Sequence, residues 1–202
     1  MRFVLASASP ARLATLRRAG VEPDVMVSGV DEDAITADSV ADLALALALA
    51  KAAAVAGQIA GSALVLGCDS LLDLDGVALG KPGDVATAYE RWRQLRGRSA
   101  ALVTGHALLR VRDGAVDDRA ARTASTTVHF GFPDDGEIEA YVATGEPLAV
   151  AGAFTIDGLG GWFVDGIEGD HHNVVGLSLP LMRGLLGELG LGLADVGYGG
   201  SR

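Results

Sequence analysis

Two Asp-Gly dipeptides constrain the fold of this chain more than any other local feature. Asp75-Gly76 follows the apolar run Leu71–Leu74, and Asp113-Gly114 lies between the largely apolar residues 101–112 and residues 116–130. An Asp-Gly pair between two such runs is typical of a two-residue hairpin turn, so each pair predicts two antiparallel strands. Because helical segments separate the hairpins from the other apolar runs, we expect a mixed sheet rather than a purely parallel one.

Capping signals predict where the helices lie. Ser9 followed by Pro10 is typical of a helix start, and either Asp38 or Ser39 should open a long Ala/Leu helix. Further helices are expected to begin at Asp84, at Asp134 or Asp135, and at Leu179. Strands are expected at Phe3–Ala6, Asp24–Val27 and Ala63–Leu66, with short strands in Gly145–Gly169 and a loose tail over Gly197–Arg202. The elements predict one α/β domain over residues 1–202, with a mixed sheet and flanking helices.

Charge and cysteine content exclude several classes of protein. The 202 residues carry a formal net charge of −10, which opposes binding to nucleic acid or to an anionic membrane surface. The single cysteine, Cys68, excludes an intramolecular disulfide and a cysteine-based zinc site. The apolar stretch from Leu43 to Gly67 is mostly alanine and contains Lys51, so we expect a cytoplasmic protein without a membrane span.

The segment between the first predicted strand and the first predicted helix is a candidate phosphate site. Ser7 and Ser9 offer hydroxyl groups, and the helix N-terminus offers unpaired N–H groups. Arg12 lies in the first helical turn, where its guanidinium could hold phosphate through two hydrogen bonds. The same residues are also compatible with an ordinary helix cap and a surface arginine.

Asp69 is a candidate catalytic carboxylate. It lies in Gly67-Cys68-Asp69-Ser70, which we predict to be the end of a buried strand. A carboxylate there could ligate Mg²⁺ or act as general base for a water molecule, or it could simply cap the strand. Cys68 is expected to be a buried thiol rather than a nucleophile, because no histidine is placed to activate it.

Both lysines of the chain lie at candidate anion sites. Of 16 basic residues, only Lys51 and Lys81 are lysine. Lys51 lies in the apolar helix, so its side chain either extends to solvent or meets an anion. Lys81 follows Gly80, where the backbone can approach a phosphate closely, although an exposed turn is the simpler alternative. Asp170-His171-His172 is not expected to be a metal site, because adjacent residues rarely ligate one ion together.

Taken in order, these segments resemble the Maf family of nucleoside triphosphate pyrophosphatases, and the resemblance covers nearly the whole chain. The matching segments are Leu5-Ala6-Ser7-Ala8-Ser9-Pro10-Ala11-Arg12, Glu32 in an acidic loop, Lys51 in its helix, Cys68-Asp69-Ser70, Gly80-Lys81-Pro82, Gly145-Glu146-Pro147 and Asn173-Val174-Val175-Gly176-Leu177.

The resemblance implies an activity, a fold and a set of site residues. Family members hydrolyse the bond between the α- and β-phosphates of a nucleoside triphosphate with a divalent metal ion, Mg²⁺ or Mn²⁺. They are described as removing modified nucleotides and as linked to cell-division arrest. The implied fold, related to inosine triphosphatases, has two lobes and a central cleft, and members are cytoplasmic and often homodimeric. The resemblance assigns Asp69 as the catalytic proton acceptor. On physical grounds we expect Glu32 and Asp69 to hold the metal. The phosphate-binding residues are expected to be Ser7, Ser9, Arg12, Lys51 and Lys81.

The chain departs from the family pattern where base specificity is set. Ala11 replaces an arginine, Ser70 replaces a threonine, and Asp157 replaces a glutamine. A carboxylate only accepts hydrogen bonds, whereas a glutamine amide also donates them. Asp157 therefore favours a base edge with N–H donors, such as that of guanine or cytosine, over uracil or thymine.

Two functions of other classes compete with hydrolysis. A non-catalytic nucleotide-binding regulator of septum formation is favoured by Ala11 and Val150, where family residues are replaced, and opposed by the retained Asp69, Glu32 and Lys81. A partner-binding protein would need an exposed docking surface, which the sequence does not show clearly. The expected partner is therefore a nucleoside triphosphate, with no nucleic acid and no membrane.

Overall fold

The computed structural model describes residues 1–198, so most of the predicted loose tail lies outside the described residues. The strands of the described part are β1 (Phe3–Leu5), β2 (Asp24–Val25), β3 (Ala63–Leu74), β4 (Val77–Leu79), β5 (Ser99–Arg112), β6 (Ala115–Phe130) and β7 (Val164–Glu168). Its α-helices are α1 (Pro10–Arg18), α2 (Val40–Ala56), α3 (Val85–Leu95), α4 (Asp135–Ala143), α5 (His171–Val175) and α6 (Leu179–Glu188). Short 3₁₀ turns cover Glu146–Ala149, Ala151–Ala153, Leu159–Phe163 and Leu193–Val196.

The strands form a mixed sheet in the order β2-β1-β3-β5-β6-β7, with β4 paired to β3. β1 is parallel to β2 and to β3, where Val4 lies opposite Val65. β4 is antiparallel to β3, and β7 is antiparallel to β6, where Val128 lies opposite Ile167. The expected α/β class, with a mixed sheet and flanking helices, is confirmed.

Both predicted hairpin turns are present. Asp75 and Gly76 have φ values of 53° and 84°, and Asp113 and Gly114 have values of 50° and 81°. Positive φ at both central residues is the geometry of the turn that matches the twist of paired strands, and Asp-Gly adopts it readily.

The predicted helix starts are also present. Ser9 caps α1, Asp84 caps α3, and Ser39 rather than Asp38 caps α2, each by accepting a hydrogen bond from a backbone N–H of the first turn. Asp134 caps α4 and exchanges hydrogen bonds with Glu137 in a capping box. Among residues 1–198, no helix combines the length and apolar character that crossing a membrane requires.

The chain divides into two compact units. The first contains Met1–Asp69, Thr104–Ala124 and the described residues from Gly176 onward, and the second contains Ser70–Val103 and Ser125–Val175. Because the division falls within β3, β5 and β6, these three strands contribute residues to both units. Each unit has its own hydrophobic core. The core of the second unit is built around Trp92, which is fully buried.

Two expectations about local structure are wrong. Gly67-Cys68-Asp69-Ser70 does not end a strand, because β3 runs without interruption from Ala63 to Leu74. Gly67 supports close packing there, as described next, rather than a turn. The region Gly145–Gly169 contains 3₁₀ turns and only one strand, β7. Gly145 and Gly152 have φ values of 78° and 69°, which interrupt extended backbone.

The alanines of α2 bring its backbone unusually close to the sheet. A Cβ atom placed on Gly67 of β3 would lie 2.2 Å from the carbonyl oxygen of Ala48 and 2.9 Å from the Cβ of Ala52. A Cβ on Gly105 of β5 would lie 2.2 Å from the carbonyl oxygen of Ala44. Ala44, Ala48 and Ala52 recur at every fourth position and therefore share one face of the helix. The alanines of α2 thus allow the helix backbone to pack directly against the backbones of β3 and β5.

We predict that Gly67→Ala lowers the free energy of unfolding by about 1–3 kcal/mol, because the added methyl group must displace the backbone of α2. Urea denaturation followed by circular dichroism measures the loss. The matched control is Gly61→Ala, where nothing lies within 4 Å of the added Cβ and the expected change is within about 0.5 kcal/mol. Equal losses at the two positions would contradict this account of α2.

Candidate active site

Lys51 joins two of the predicted site carboxylates in the first unit. Its Nζ lies 2.5 Å from Asp69 Oδ1 and 2.8 Å from Glu32 Oε1. The side chains of Lys51 and Asp69 are each 10% exposed, whereas that of Glu32 is 49% exposed. Of the two alternatives for Lys51, the structure shows the contact with anions, and the anions are carboxylates of the chain itself. The group is a buried ion pair extended towards solvent by Glu32.

The contact between α2 and β3 explains how Lys51 meets Asp69. Gly67 and Asp69 are two residues apart in a strand, so they lie on the same face of the sheet. Gly67 packs against Ala48 and Ala52, which flank Lys51 in the sequence of α2. Glu32 comes from the loop between β2 and α2. Helix and strand therefore fix the buried pair, and a loop supplies the third group.

Arg12 and Ser7 form a second part of the candidate site. Arg12 is largely buried, and its Nη1 donates to the Ser7 hydroxyl at 3.1 Å while its Nε donates to the Gly176 carbonyl at 2.8 Å. The Ser7 hydroxyl also accepts a hydrogen bond from Ser9 N at 3.2 Å. A hydroxyl that accepts two hydrogen bonds keeps its own proton to donate, for example to a phosphate oxygen. Since Nε is already engaged, Arg12 contributes a charge held in a fixed position.

Cys68 precedes Asp69 in β3, and its thiol is buried and unreactive. Burial raises the pKa of its thiol to about 12, while Arg12 and Lys51 lower it and Asp69 raises it further. A thiol with such a pKa is protonated at neutral pH and is a poor nucleophile.

Three further residues predicted for the site belong to the second unit. Lys81 lies in the exposed loop between β4 and α3, and Ser70 is half-buried in β3. Asp157 is exposed in a bend before the 3₁₀ turn Leu159–Phe163. Ala11, the other position linked to base specificity, is half-buried in the first turn of α1 in the first unit.

The loop that carries Lys81 is held by residues that sequence reasoning did not single out. The carbonyl of Gly80 accepts a hydrogen bond from Gly152 N at 3.1 Å and another from Nη1 of Arg91. Gly83 N donates to the carbonyl of Leu148 at 3.2 Å. No local sequence signal identifies Arg91, because its contact with Gly80 depends on how α3 packs.

Glu146 organises another part of the second unit. Its Oε1 accepts hydrogen bonds from the Thr155 hydroxyl at 2.6 Å, the Tyr141 hydroxyl at 3.0 Å and Gly160 N at 3.0 Å, and its Oε2 accepts one from Leu159 N at 3.1 Å. Sequence reasoning placed Gly145-Glu146-Pro147 in a family motif without giving Glu146 a role. The cluster of glycines after it was the available signal.

Comparison with known proteins decides the family. The family model described as Maf-like protein matches residues 2–189. The chain belongs to this family. Its resemblance to the Maf family, stated above from the motifs, is therefore confirmed.

Among Maf-like relatives, a protein of Streptomyces coelicolor (strain ATCC BAA-471 / A3(2) / M145) is 59% identical over 197 residues, which cover 96% of this chain and 94% of the relative. A protein of Rhodococcus opacus (strain B4) is 56% identical over 203 residues, which cover 96% of this chain and 95% of the relative. Both relatives are named nucleoside triphosphate pyrophosphatase.

Two solved structures show weaker likeness. The nucleoside-triphosphatase, or dITP/XTP pyrophosphatase, of Mycobacterium abscessus has a TM-score of 0.39 and 19% identity, with 64% of this chain and 74% of that chain covered. The Ham1 protein of Staphylococcus aureus has a TM-score of 0.41 and 14% identity, with 65% of this chain and 72% of that chain covered. Likeness at this level supports no conclusion about the present chain.

The carboxylates of this Maf-like chain suit a metal ion whose other ligands are phosphate oxygens and waters. Within residues 1–198, no group of three or more His, Cys, Asp or Glu side chains is placed to hold a metal ion. The carboxylates of Glu32 and Asp69 nevertheless lie close together, because both contact the ammonium group of Lys51. Mg²⁺ is commonly bound by one or two carboxylates together with waters and substrate phosphates. The donor set therefore fits a divalent ion that binds with a nucleotide.

We predict that Cys68 of the folded protein resists iodoacetamide at pH 8, because burial and the raised pKa keep its thiol protonated and covered. Mass spectrometry should find no label on the folded chain and one label per chain in urea. Ser62→Cys, at an exposed position, is the matched control and should add one fast-reacting thiol. Rapid labelling of Cys68 in the folded protein would show that this description of the site is wrong.

Proposed function

We propose that this protein hydrolyses nucleoside triphosphates between the α- and β-phosphates, releasing pyrophosphate and a nucleoside monophosphate. The observation that carries the proposal is the buried Lys51–Asp69 pair with Glu32 beside it, in a Maf-like chain whose relatives are named nucleoside triphosphate pyrophosphatase. Carboxylates suit activation of water and binding of metal, and the cations suit a polyanionic substrate.

In this proposal, Asp69 accepts a proton from the attacking water, and Glu32 and Asp69 hold a divalent cation, Mg²⁺ or Mn²⁺. The metal would supply charge neutralisation at the phosphate oxygens and lower the pKa of a bound water. Lys51 and Arg12 neutralise the triphosphate, and Arg12 is held by Ser7 and Gly176 in a position fixed before substrate binds. Preorganised charge of this kind needs no rearrangement during the reaction.

The remaining phosphate contacts in the proposal come from Ser7, Ser9 and Lys81. Ser7 has a hydroxyl proton to donate, and Ser9 sits at the N-terminus of α1, where the helix dipole favours negative charge. Lys81 is exposed on a loop whose backbone is fixed through Gly80. Its compact ammonium group suits a terminal phosphate.

Asp157, Ser70 and Ala11 are proposed to set base specificity. As an acceptor, Asp157 would pair with the N–H donors of a guanine or cytosine edge, and it would lie unfavourably against an acceptor of uracil or thymine. We further propose that the physiological role is the removal of modified nucleotides, with a link to cell-division arrest. The protein is proposed to act in the cytoplasm and as a homodimer.

We predict that Asp69→Asn lowers kcat by at least about 100-fold, because an amide cannot accept the proton of water. Nucleotide binding should largely survive, since the cationic groups remain. Pyrophosphate release from a panel of ordinary and modified triphosphates with Mg²⁺ or Mn²⁺ measures turnover, and calorimetry measures binding. Asp38→Asn, an exposed position in the same unit, is the matched control.

The same panel separates hydrolysis from the competing function, a nucleotide-binding regulator of septum formation without turnover. Binding of nucleotide by the wild-type protein with no pyrophosphate release from any triphosphate would favour the regulator. Wild-type rates in Asp69→Asn would remove Asp69 from the mechanism.

We predict that Asp157→Gln shifts selectivity towards UTP and dTTP, because glutamine can both donate to and accept from the uracil edge. A base contact of this kind discriminates by about 1–3 kcal/mol, so the ratio of kcat/KM for GTP or CTP over UTP should fall by about tenfold or more. If the wild-type protein already turns over dTTP and UTP best, this interpretation of Asp157 is wrong.

A further inference from the structure

The hydrogen bonds of Glu146 tie down the segment on both sides of Asp157. Thr155 precedes Asp157 by two residues and donates its hydroxyl to Glu146 Oε1. Leu159 and Gly160 follow Asp157, and their backbone N–H groups donate to Oε2 and Oε1. One side chain, 9 residues before Thr155 and 14 residues before Gly160, therefore fixes both ends of the bend. Hydrogen bonds to an ionised carboxylate are stronger than those between neutral groups.

The backbone of this segment lies too close to the Glu146 network to carry side chains at two positions. A Cβ on Gly158 would lie 2.6 Å from the Thr155 hydroxyl and 2.7 Å from Glu146 Oε2. A Cβ on Gly160 would lie 2.5 Å from the Tyr141 hydroxyl and 2.7 Å from the carbonyl oxygen of Thr155. The glycines thus allow the bend to wrap around the carboxylate, and the contact specifies one shape for the segment.

The charge state of Glu146 agrees with this geometry. Burial acts to raise the pKa of its carboxyl, but the hydrogen bonds from Thr155, Leu159, Gly160 and Tyr141 outweigh burial and hold the pKa below its usual value. Burial raises the pKa of Tyr141, so its hydroxyl keeps its proton and acts as a donor. All four partners therefore offer protons to an ionised acceptor.

We propose that Glu146 is a positioning residue for base selection, which holds Thr155–Gly160 in the shape that presents Asp157 to the nucleotide base. The inference rests on the proposed function, because it assumes that residue 157 reads the base. Glu146 itself does not touch the substrate in this proposal. A base-reading acceptor displaced by about 1 Å loses its directional hydrogen bond, so discrimination between bases suffers first. The phosphate chemistry, which is assigned to other residues, should change little.

Glu146→Gln is the variant that tests the proposal. Its amide has a similar size but places N–H donors against the donors of Leu159 or Thr155, so the segment loses part of its support. Glu139→Gln, an exposed carboxylate on α4, is the matched control. Thr155→Val is a milder second variant, which removes one donor and keeps the shape of the side chain. If Glu146→Gln fails to fold, Thr155→Val carries the same test with a smaller expected effect.

Three measurements are made on each variant. Hydrogen exchange should be about tenfold faster at the amides of Leu159 and Gly160 in Glu146→Gln and unchanged in Glu139→Gln. The ratio of kcat/KM for GTP or CTP over UTP should fall by about tenfold, with kcat for the preferred base little changed. The ratio of dissociation constants for the corresponding nucleoside monophosphates should move in the same direction, and this readout does not need turnover.

The outcomes separate this inference from the proposed function. Failure of the wild-type protein to release pyrophosphate overturns the proposed function, and the monophosphate binding ratio still tests Glu146. Faster exchange with an unchanged base ratio shows a purely structural role and overturns the inference. An equal loss of kcat/KM for every base also overturns it, whereas a base-dependent loss that accompanies faster exchange supports it.

Discussion

The contact between the backbone of α2 and the glycines of the sheet is the constraint on which the candidate site depends. Gly67 and Gly105 admit the helix at a distance that no side chain would allow, and Ala44, Ala48 and Ala52 supply a helix face small enough to use that space. Lys51 and Asp69 are neighbours of these contact residues in sequence. Their ion pair is therefore set by the separation of two backbones, which varies less than the rotamers of long side chains.

The Lys51 group alone does not attract a polyanion, because its one ammonium lies between the carboxylates of Glu32 and Asp69. In the proposed function, a divalent cation and Arg12 add the positive charge that a triphosphate needs. A net charge of −10 repels a triphosphate at long range, and only a local group of cations can overcome this. A lysine suits the position between Glu32 and Asp69, because its compact ammonium group donates in several directions, whereas a planar guanidinium needs a wider space. Because nearly all other basic residues of the chain are arginine, a lysine at this position indicates a specific requirement for an ammonium group.

Much of the fold and part of the site follow from local sequence signals. The Asp-Gly turns and the caps at Ser9, Asp84 and Asp134 depend on neighbouring residues, so a reader of the sequence can find them. The uninterrupted course of β3 through Gly67 does not follow from local signals, because the glycine is required by a helix that is not adjacent in sequence.

The parts of the site that the sequence did not predict depend on contacts that no local motif specifies. The Gly176 carbonyl, which holds Arg12, is 164 residues away in the chain. The four donors of Glu146 come from one helix, one side chain of a loop and two backbone groups, so no single spacing reveals them. Gly176 and Glu146 both lie in segments that match the family motifs. A motif identifies such a position, but it does not show which contact the residue makes. The contacts of these residues therefore follow from the tertiary structure and not from the sequence.

The burial of Cys68 has a practical consequence for work on this protein. Since it is the only cysteine of the chain and its thiol is covered, the wild-type protein is already suited to site-directed fluorescence. A cysteine introduced at any exposed position would be the one thiol that a maleimide dye can reach, with no background mutation needed beside Asp69. Dyes placed in one unit at a time could then test each unit for a response to nucleotide, with the candidate site otherwise unaltered.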